Sequence, residues 1–159
     1  MLIKGIIDED FINYKLPSMN ISTCRCSFKC DREAGINCCQ NSELARAPDL
    51  NIPITQIIER YLQNPITHAI VFAGLEPFDQ FREMSLFIWT LRNQYSCNDD
   101  VIIYTGYNKD EIASMLDELK NFSNIVVKYG RFIPNSQSVL DPELQVILAS
   151  DNQYAERIS

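Results

Sequence analysis

Five of the six cysteines fall between Cys24 and Cys39, in the stretch CRCSFKCDREAGINCCQNSELA. Thiolate sulfur binds iron–sulfur clusters and structural zinc, and no other part of the sequence offers comparable chemistry. The spacing is C-x-C-x3-C-x7-C-C, followed by Gln40-Asn41. A structural zinc site usually presents paired C-x2-C knuckles, and none is present. A disulfide scaffold suits a small secreted chain better than one of 159 residues, which can bury a core unaided. A cluster held by three thiolates, with one iron left open, needs only three cysteines in one loop. Cys26-x3-Cys30 followed by a later Cys-Gln-Asn meets that requirement. Inert thiols remain the bland alternative, and Cys97, isolated at the end of an expected helix, reads as an ordinary half-buried one.

Composition narrows the setting of that loop. The formal charge is -7, from 21 acidic and 14 basic side chains, which excludes the broad basic surface of a nucleic-acid-binding protein. No apolar run approaches the ~20 residues of a membrane helix, so no membrane partner is expected. The opening MLIKGIIDEDF has too short an apolar run for a signal peptide, and acids follow it at once. A cytoplasmic location is the expectation. There, cysteines stay reduced, and clustered ones bind metal or do chemistry.

The elements that must position the loop follow from periodicity. Strands are expected at residues 2–7, 18–22, 69–73, 101–105, 125–129 and 144–149, with a short one possible within 153–158. Helices are expected at 54–63, 78–95 and 110–120. The runs AIVFA, VIIYT and IVV are apolar at both parities, as strands buried on both faces of a parallel sheet are. Each of their segments ends at a glycine: Gly74, Gly106 and Gly130. Parallel α/β folds bind ligands at those carboxyl ends. One domain over residues 1–159 is expected, α/β in class with a mostly parallel sheet. The cysteine-rich loop would span about 23–50, a length that is usually functional. The chain is too short for eight βα units, so the expectation is an open or partial (β/α) barrel.

Cys26-Ser-Phe-Lys-Cys30 with the later Cys39-Gln40-Asn41 resembles a modified cluster loop of the radical S-adenosylmethionine superfamily, whose usual pattern is C-x3-C-x2-C. Eight residues here separate Cys30 from Cys39, where that pattern has two. Cys38 takes the place of the usual aromatic, and Cys24 and Cys38 stand as alternative ligands. Gly74-Leu75-Glu76-Pro77 resembles the GGEP motif, with Leu75 replacing the second glycine. Tyr104-Thr105-Gly106-Tyr107 resembles the YTGY stretch of the small activating proteins of anaerobic ribonucleotide reductase. Gly130-Arg131-Phe132 and the ending SDNQYAERIS resemble that group's last strands, with Tyr129 where an aspartate often precedes the glycine.

The resemblance implies a barrel of the radical S-adenosylmethionine type, with a [4Fe-4S] cluster on Cys26, Cys30 and Cys39. S-adenosyl-L-methionine would lie on Gly74, Glu76, Pro77, Thr105 and Gly106, with no catalytic residue beyond cluster and cofactor. Reductive cleavage of the sulfonium would give a 5′-deoxyadenosyl radical. That radical would take a hydrogen from a backbone glycine of a glycyl-radical enzyme, the large subunit of anaerobic ribonucleotide reductase. A flavodoxin- or ferredoxin-like protein would donate the electron. Two alternatives stand beside this: a radical enzyme acting on another glycyl-radical enzyme or a small molecule, and a noncatalytic cysteine-bound metal module for protein interaction. The bland readings of single residues are Glu76 as a strand-end cap, Tyr104 and Tyr107 as packing aromatics, and His68 as a structural residue. Arg25, Lys29 and Arg32 would either raise the potential of an anionic cluster or be solvated loop charges.

Overall fold

The computed structural model describes residues 1–159. The seven residues between β1 (Leu2–Asp10) and β2 (Ser18–Thr23) are too few for a crossover helix, so the two strands pair antiparallel. Asp10 organises the turn. Its Oδ1 accepts from the backbone N–H groups of Ile12 and Asn13, and its Oδ2 from the side-chain amides of Asn13 and Asn20. The cysteine segment follows with two short helices, α1 (Lys29–Ala34) and α2 (Ser42–Arg46). A two-residue strand, β3 (Leu50–Asn51), returns beside β1.

Three right-sized helices then alternate with strands, as the apolar periodicity requires. The order is α3 (Ile54–Leu62), β4 (Ala69–Gly74), α4 (Phe81–Asn93), β5 (Asp100–Tyr104), α5 (Ala113–Leu119) and β6 (Ile125–Tyr129). A short 3-10 turn introduces α4 at Pro77–Gln80 and another introduces α5 at Lys109–Ile112. The three helices cover one face of the sheet. Ile57, Phe87, Ile88 and Leu116 join Ile70, Phe72, Ile103 and Val127 in a single core. Alternate strand residues, Val71, Ile102 and Val126, face the other side and pack under Tyr14, Leu144 and Leu148. Burial on both faces is why these strands are apolar at both parities.

The sheet corrects the expected fold class. Seven strands run in the order β3-β1-β2-β4-β5-β6-β9, where β9 is Tyr154–Arg157. Only the contacts β2–β4, β4–β5 and β5–β6 are parallel. β1, β3 and β9 pair antiparallel at the flanks. The molecule is therefore an open mixed sheet, neither mostly parallel nor a partial (β/α) barrel of the radical S-adenosylmethionine type. The physical reason lies at the edges: β1 and β2 are joined by a short turn that permits only antiparallel return, β3 and β9 come back as short antiparallel edge strands, and three crossover helices on one face leave the sheet open.

The C-terminal region departs as well. Residues 144–149, expected as a strand, form part of a separate hairpin between β7 (Val139–Asp141) and β8 (Val146–Leu148). Asp141 Oδ1 accepts from the N–H groups of Glu143 and Leu144, and Gln145 adopts a left-handed φ of 58°, which reverses the chain. β9, expected only as a possible short strand, takes the edge beside β6 instead. No helix is long and apolar enough to cross a membrane.

Candidate metal centre

The parallel register brings the carboxyl ends of β2, β4, β5 and β6 to one edge, and the cysteine segment lies over it. Between them is a cavity of about 430 Å³. Cys26, Cys30 and Cys39 line it, together with Gly74, Glu76, Thr105 and Gly106. Seven of the eight residues singled out in the sequence thus share one space. Pro77, the eighth, is buried in the first turn of the 3-10 segment and lies outside the cavity lining. The other cysteines are placed elsewhere. The Cys24 thiol donates to Gln80 Oε1 at 3.3 Å, Cys38 does not line the cavity, and Cys97 packs at the edge of the main core.

Backbone geometry explains why glycine stands at the end of β4. Gly74 has φ +85°, and a Cβ there would meet Ser22 Cβ at 2.8 Å and Ser22 Cα at 2.9 Å on the neighbouring strand. A side chain could form only by pushing the two strands apart. Gly106 has room for a Cβ, which would lie 3.5 Å from Cys30 Sγ and 3.6 Å from Glu76 Oε2. Its backbone therefore sits between a thiol and the carboxylate.

Glu76 joins the strand ends. Its Oε1 accepts from Thr105 Oγ1 at 2.7 Å and from Phe78 N–H at 3.1 Å, and its Oε2 accepts from Gly106 N–H at 2.9 Å. The bond to Phe78 caps the 3-10 turn, so the bland reading of Glu76 describes one of its contacts. The side chain is only 6 % exposed. Burial pushes its carboxyl up to about 7, against the lowering effect of the three donors.

Three further contacts hold the cysteine segment down, and a fourth, from Tyr107, steadies Asp79. Asp79 Oδ2 accepts from Ser27 N–H at 2.7 Å, while its Oδ1 accepts from Tyr107 OH at 2.7 Å. Asn41 Nδ2 donates to Gly74 O at 2.6 Å, and Glu76 N–H donates to Arg25 O at 2.7 Å. Charge adds a second clamp: Glu111 binds Arg131 at 2.6 Å and also Lys29, and Arg131 pairs with Glu33 of α1 at 3.1 Å. The Arg131 hydrogen bond, helped by Lys29, holds the Glu111 carboxyl down to about 2. Lys29 is thus committed to an ion pair, and Arg32 donates to Ser27 O within its own loop.

The eight residues between Cys30 and Cys39 are not slack chain. They contain most of α1, which Phe28 enters with a left-handed φ of 51° and Gly35 leaves at 67°. Asp31 of α1 accepts from both Cys38 N–H and Cys39 N–H through Oδ1, at 2.8 Å each. This carboxylate folds the extra segment back and presents Cys39 to the cavity. The sequence reading missed Asp31, because the contact lies inside the insertion that sets this loop apart. It also missed Lys128 and Asn20, which line the same cavity. A single lysine within the apolar run IVVKY was the available signal.

The donor set fits a cluster. Three thiols share a cavity, which is the number a [4Fe-4S] cluster with one open iron takes, and Phe28 N–H donates to Cys26 Sγ at 3.2 Å. Burial pushes the Cys26 thiol up to about 11 and also raises Cys30, so ligation at these positions must displace bound protons. No three Cys, His, Asp or Glu side chains converge as ligands of a single ion.

A family model described as a 4Fe-4S single cluster domain matches residues 21–155. No curated protein and no solved structure matches the chain.

Two outcomes follow from this geometry. Asp31→Ala removes the acceptor that fixes the Cys39 backbone, and cluster affinity falls about 10- to 100-fold, read as iron retained against a chelator. Glu76 supplies a pH dependence. Its folded value of about 7 lies above its ordinary 4.5, so the folded chain holds this proton through that window. The associated stability is complete below about pH 4.5 and is lost as pH rises through 7. In urea titrations without cluster, Glu76→Gln removes that decline, a difference on the order of 2–3 kcal/mol between pH 4.5 and 7.5.

Proposed function

From the premise that this chain belongs to the 4Fe-4S single-cluster domain family, we propose that it is a radical S-adenosylmethionine activase. Its [4Fe-4S] cluster would be held by Cys26, Cys30 and Cys39, and its target would be a glycyl-radical enzyme such as anaerobic ribonucleotide reductase. The observation that carries the reading is the shared cavity. The three thiols and the strand-end residues Gly74, Glu76, Thr105 and Gly106 face one space, although they come from three separate stretches of sequence.

The cluster, when bound, supplies the electron that cleaves the cofactor's sulfonium. The chain's own residues would position and shield. Glu76 offers carboxylate oxygens fixed by three donors, suited to accept from the cofactor's ammonium. The left-handed Gly74 brings bare backbone to the cavity wall, where a ligand can approach closely. Tyr104 donates its hydroxyl to Asn13 O at 2.7 Å, which fixes its ring as a wall of the cavity. Asp79, Tyr107 and Asn41 keep the cysteine segment seated over the strand ends and limit water entry.

A noncatalytic single-cluster domain is the second reading. It is favoured by Glu76, whose oxygens already serve three internal donors. The two readings separate in one assay. Anaerobically reconstituted and reduced protein, incubated with S-adenosylmethionine, should release 5′-deoxyadenosine and methionine, and should generate a glycyl radical on co-expressed reductase, seen by electron paramagnetic resonance. An intact, reducible cluster that releases neither product identifies the noncatalytic domain and overturns the activase.

A further inference from the structure

Lys128 sits in the middle of β6, on a strand otherwise made of Ile125, Val126, Val127 and Tyr129, all buried. It is 7 % exposed. Its ammonium has three protons to donate and makes one hydrogen bond, to the neutral carbonyl of Gly130 at 3.1 Å. The salt bridges of the chain engage Lys4, Lys15, Lys29, Lys109 and Lys120, but none reaches Lys128. A buried cation without an anionic partner is costly, and one lining a cleft marks a candidate functional group. Burial pushes this ammonium down to about 8, with Glu76 and Cys30 as the negative groups that oppose the shift.

The position of the side chain is as telling as its burial. Lys128 pairs in register with Tyr104, and both line the cavity beneath the cysteine segment. The ammonium stands over the Tyr104 ring, 5.8 Å from its centre. A second polar group in the same lining is also left unmatched. Asn20 is 6 % exposed, its amide nitrogen is committed to Asp10 Oδ2 at 2.7 Å, and its Oδ1 has no partner. The one carboxylate in the cavity lining, Glu76, is occupied by Thr105, Gly106 and Phe78.

We propose that Lys128 is an anion anchor built into the floor of this cavity, and that the group it takes is a carboxylate of the molecule seated between the cysteine segment and the ends of β4, β5 and β6. The anchor itself rests on the cavity alone. Only the source of the carboxylate rests on the proposed function, where it is either the methionine moiety of the cofactor or a carboxylate of a separate substrate. Charge decides the class, because two free ammonium protons in a low-dielectric wall favour an ionised acceptor over a neutral one.

The test is calorimetric titration of the full chain, with its cluster and without reductant, so that binding is read apart from turnover. The probes are methionine, methioninol (which lacks the carboxylate) and acetate. With the cofactor as source, wild type binds methionine at least tenfold more tightly than methioninol. The preference disappears in Lys128→Met and survives in Lys128→Arg. With a substrate as source, acetate binding is lost in Lys128→Met while methionine binding is unchanged. A folded Lys128→Met variant that binds methionine and acetate as tightly as wild type overturns the anchor. If that variant does not fold, the Lys128 ε-methylene resonance of the wild-type chain decides. A saturable shift with methionine or acetate supports the anchor, and no shift with either overturns it. Loss of S-adenosylmethionine cleavage with the carboxylate preference intact would sink the activase and leave the anchor standing.

Discussion

The hydrogen bonds that Glu76 accepts from Thr105, Gly106 and Phe78 are the constraint on which the site depends. They lock the ends of β4 and β5 to each other and fix the direction in which the chain leaves β4. The Glu76 backbone N–H then holds Arg25 O, on the residue just before Cys26, the first thiol of the cavity. Two more ties land close by, and the ion pairs of Glu111 and Arg131 with Lys29 and Glu33 add a clamp from the far side. Asp79 follows Glu76 by three residues and holds Ser27, and Asn41 reaches Gly74 O. The segment between Cys24 and Arg46 has no buried residue in either of its helices, so polar contacts to strand ends, rather than a hydrophobic face, keep it in place. Such a segment is ordered cooperatively, because each tie is modest alone and several share the same few anchor residues.

Burial of Glu76 carries a cost that the site turns to use. A carboxyl in so dry a position favours its neutral form, yet three donors are aimed at its oxygens. The same low-dielectric wall holds Lys128, a cation with no acidic partner, and Asn20, an acceptor with no donor. Local mismatches of this kind are rare in a core and concentrate where a ligand completes the pairing. On the helical face the core is apolar, with Phe72 meeting Phe87 edge-on at 5.2 Å, although the Tyr129 hydroxyl also lacks a partner there.

The interior of the fold was legible in the sequence, and its margins were not. AIVFA, VIIYT and IVV announced buried parallel strands because apolarity at both parities leaves no solvent face. The glycines after them announced a ligand edge, and the three thiols and Glu76 do meet there. β1 and β9 carry no such signal. Their exposure alternates or is partial, and their pairing direction is set by loop length and by the hairpin that Asp141 and Gln145 create. That is why a mostly parallel barrel was expected where an open mixed sheet exists. The contact between Asp31 and the Cys38–Cys39 backbone was equally invisible, since nothing in the spacing of an insertion states where it folds back.

In the proposed function Cys26, Cys30 and Cys39 hold the cluster, whereas Cys24, turned to Gln80, and Cys38, outside the cavity lining, do not. Iron and sulfide content of anaerobically reconstituted single Cys→Ser variants tests it most directly. The 4Fe-4S cluster is expected to survive replacement of Cys24 or Cys38 and to be lost with each of Cys26, Cys30 and Cys39. Loss of the cluster with Cys24→Ser or Cys38→Ser, and its survival with any one of the other three, would contradict it.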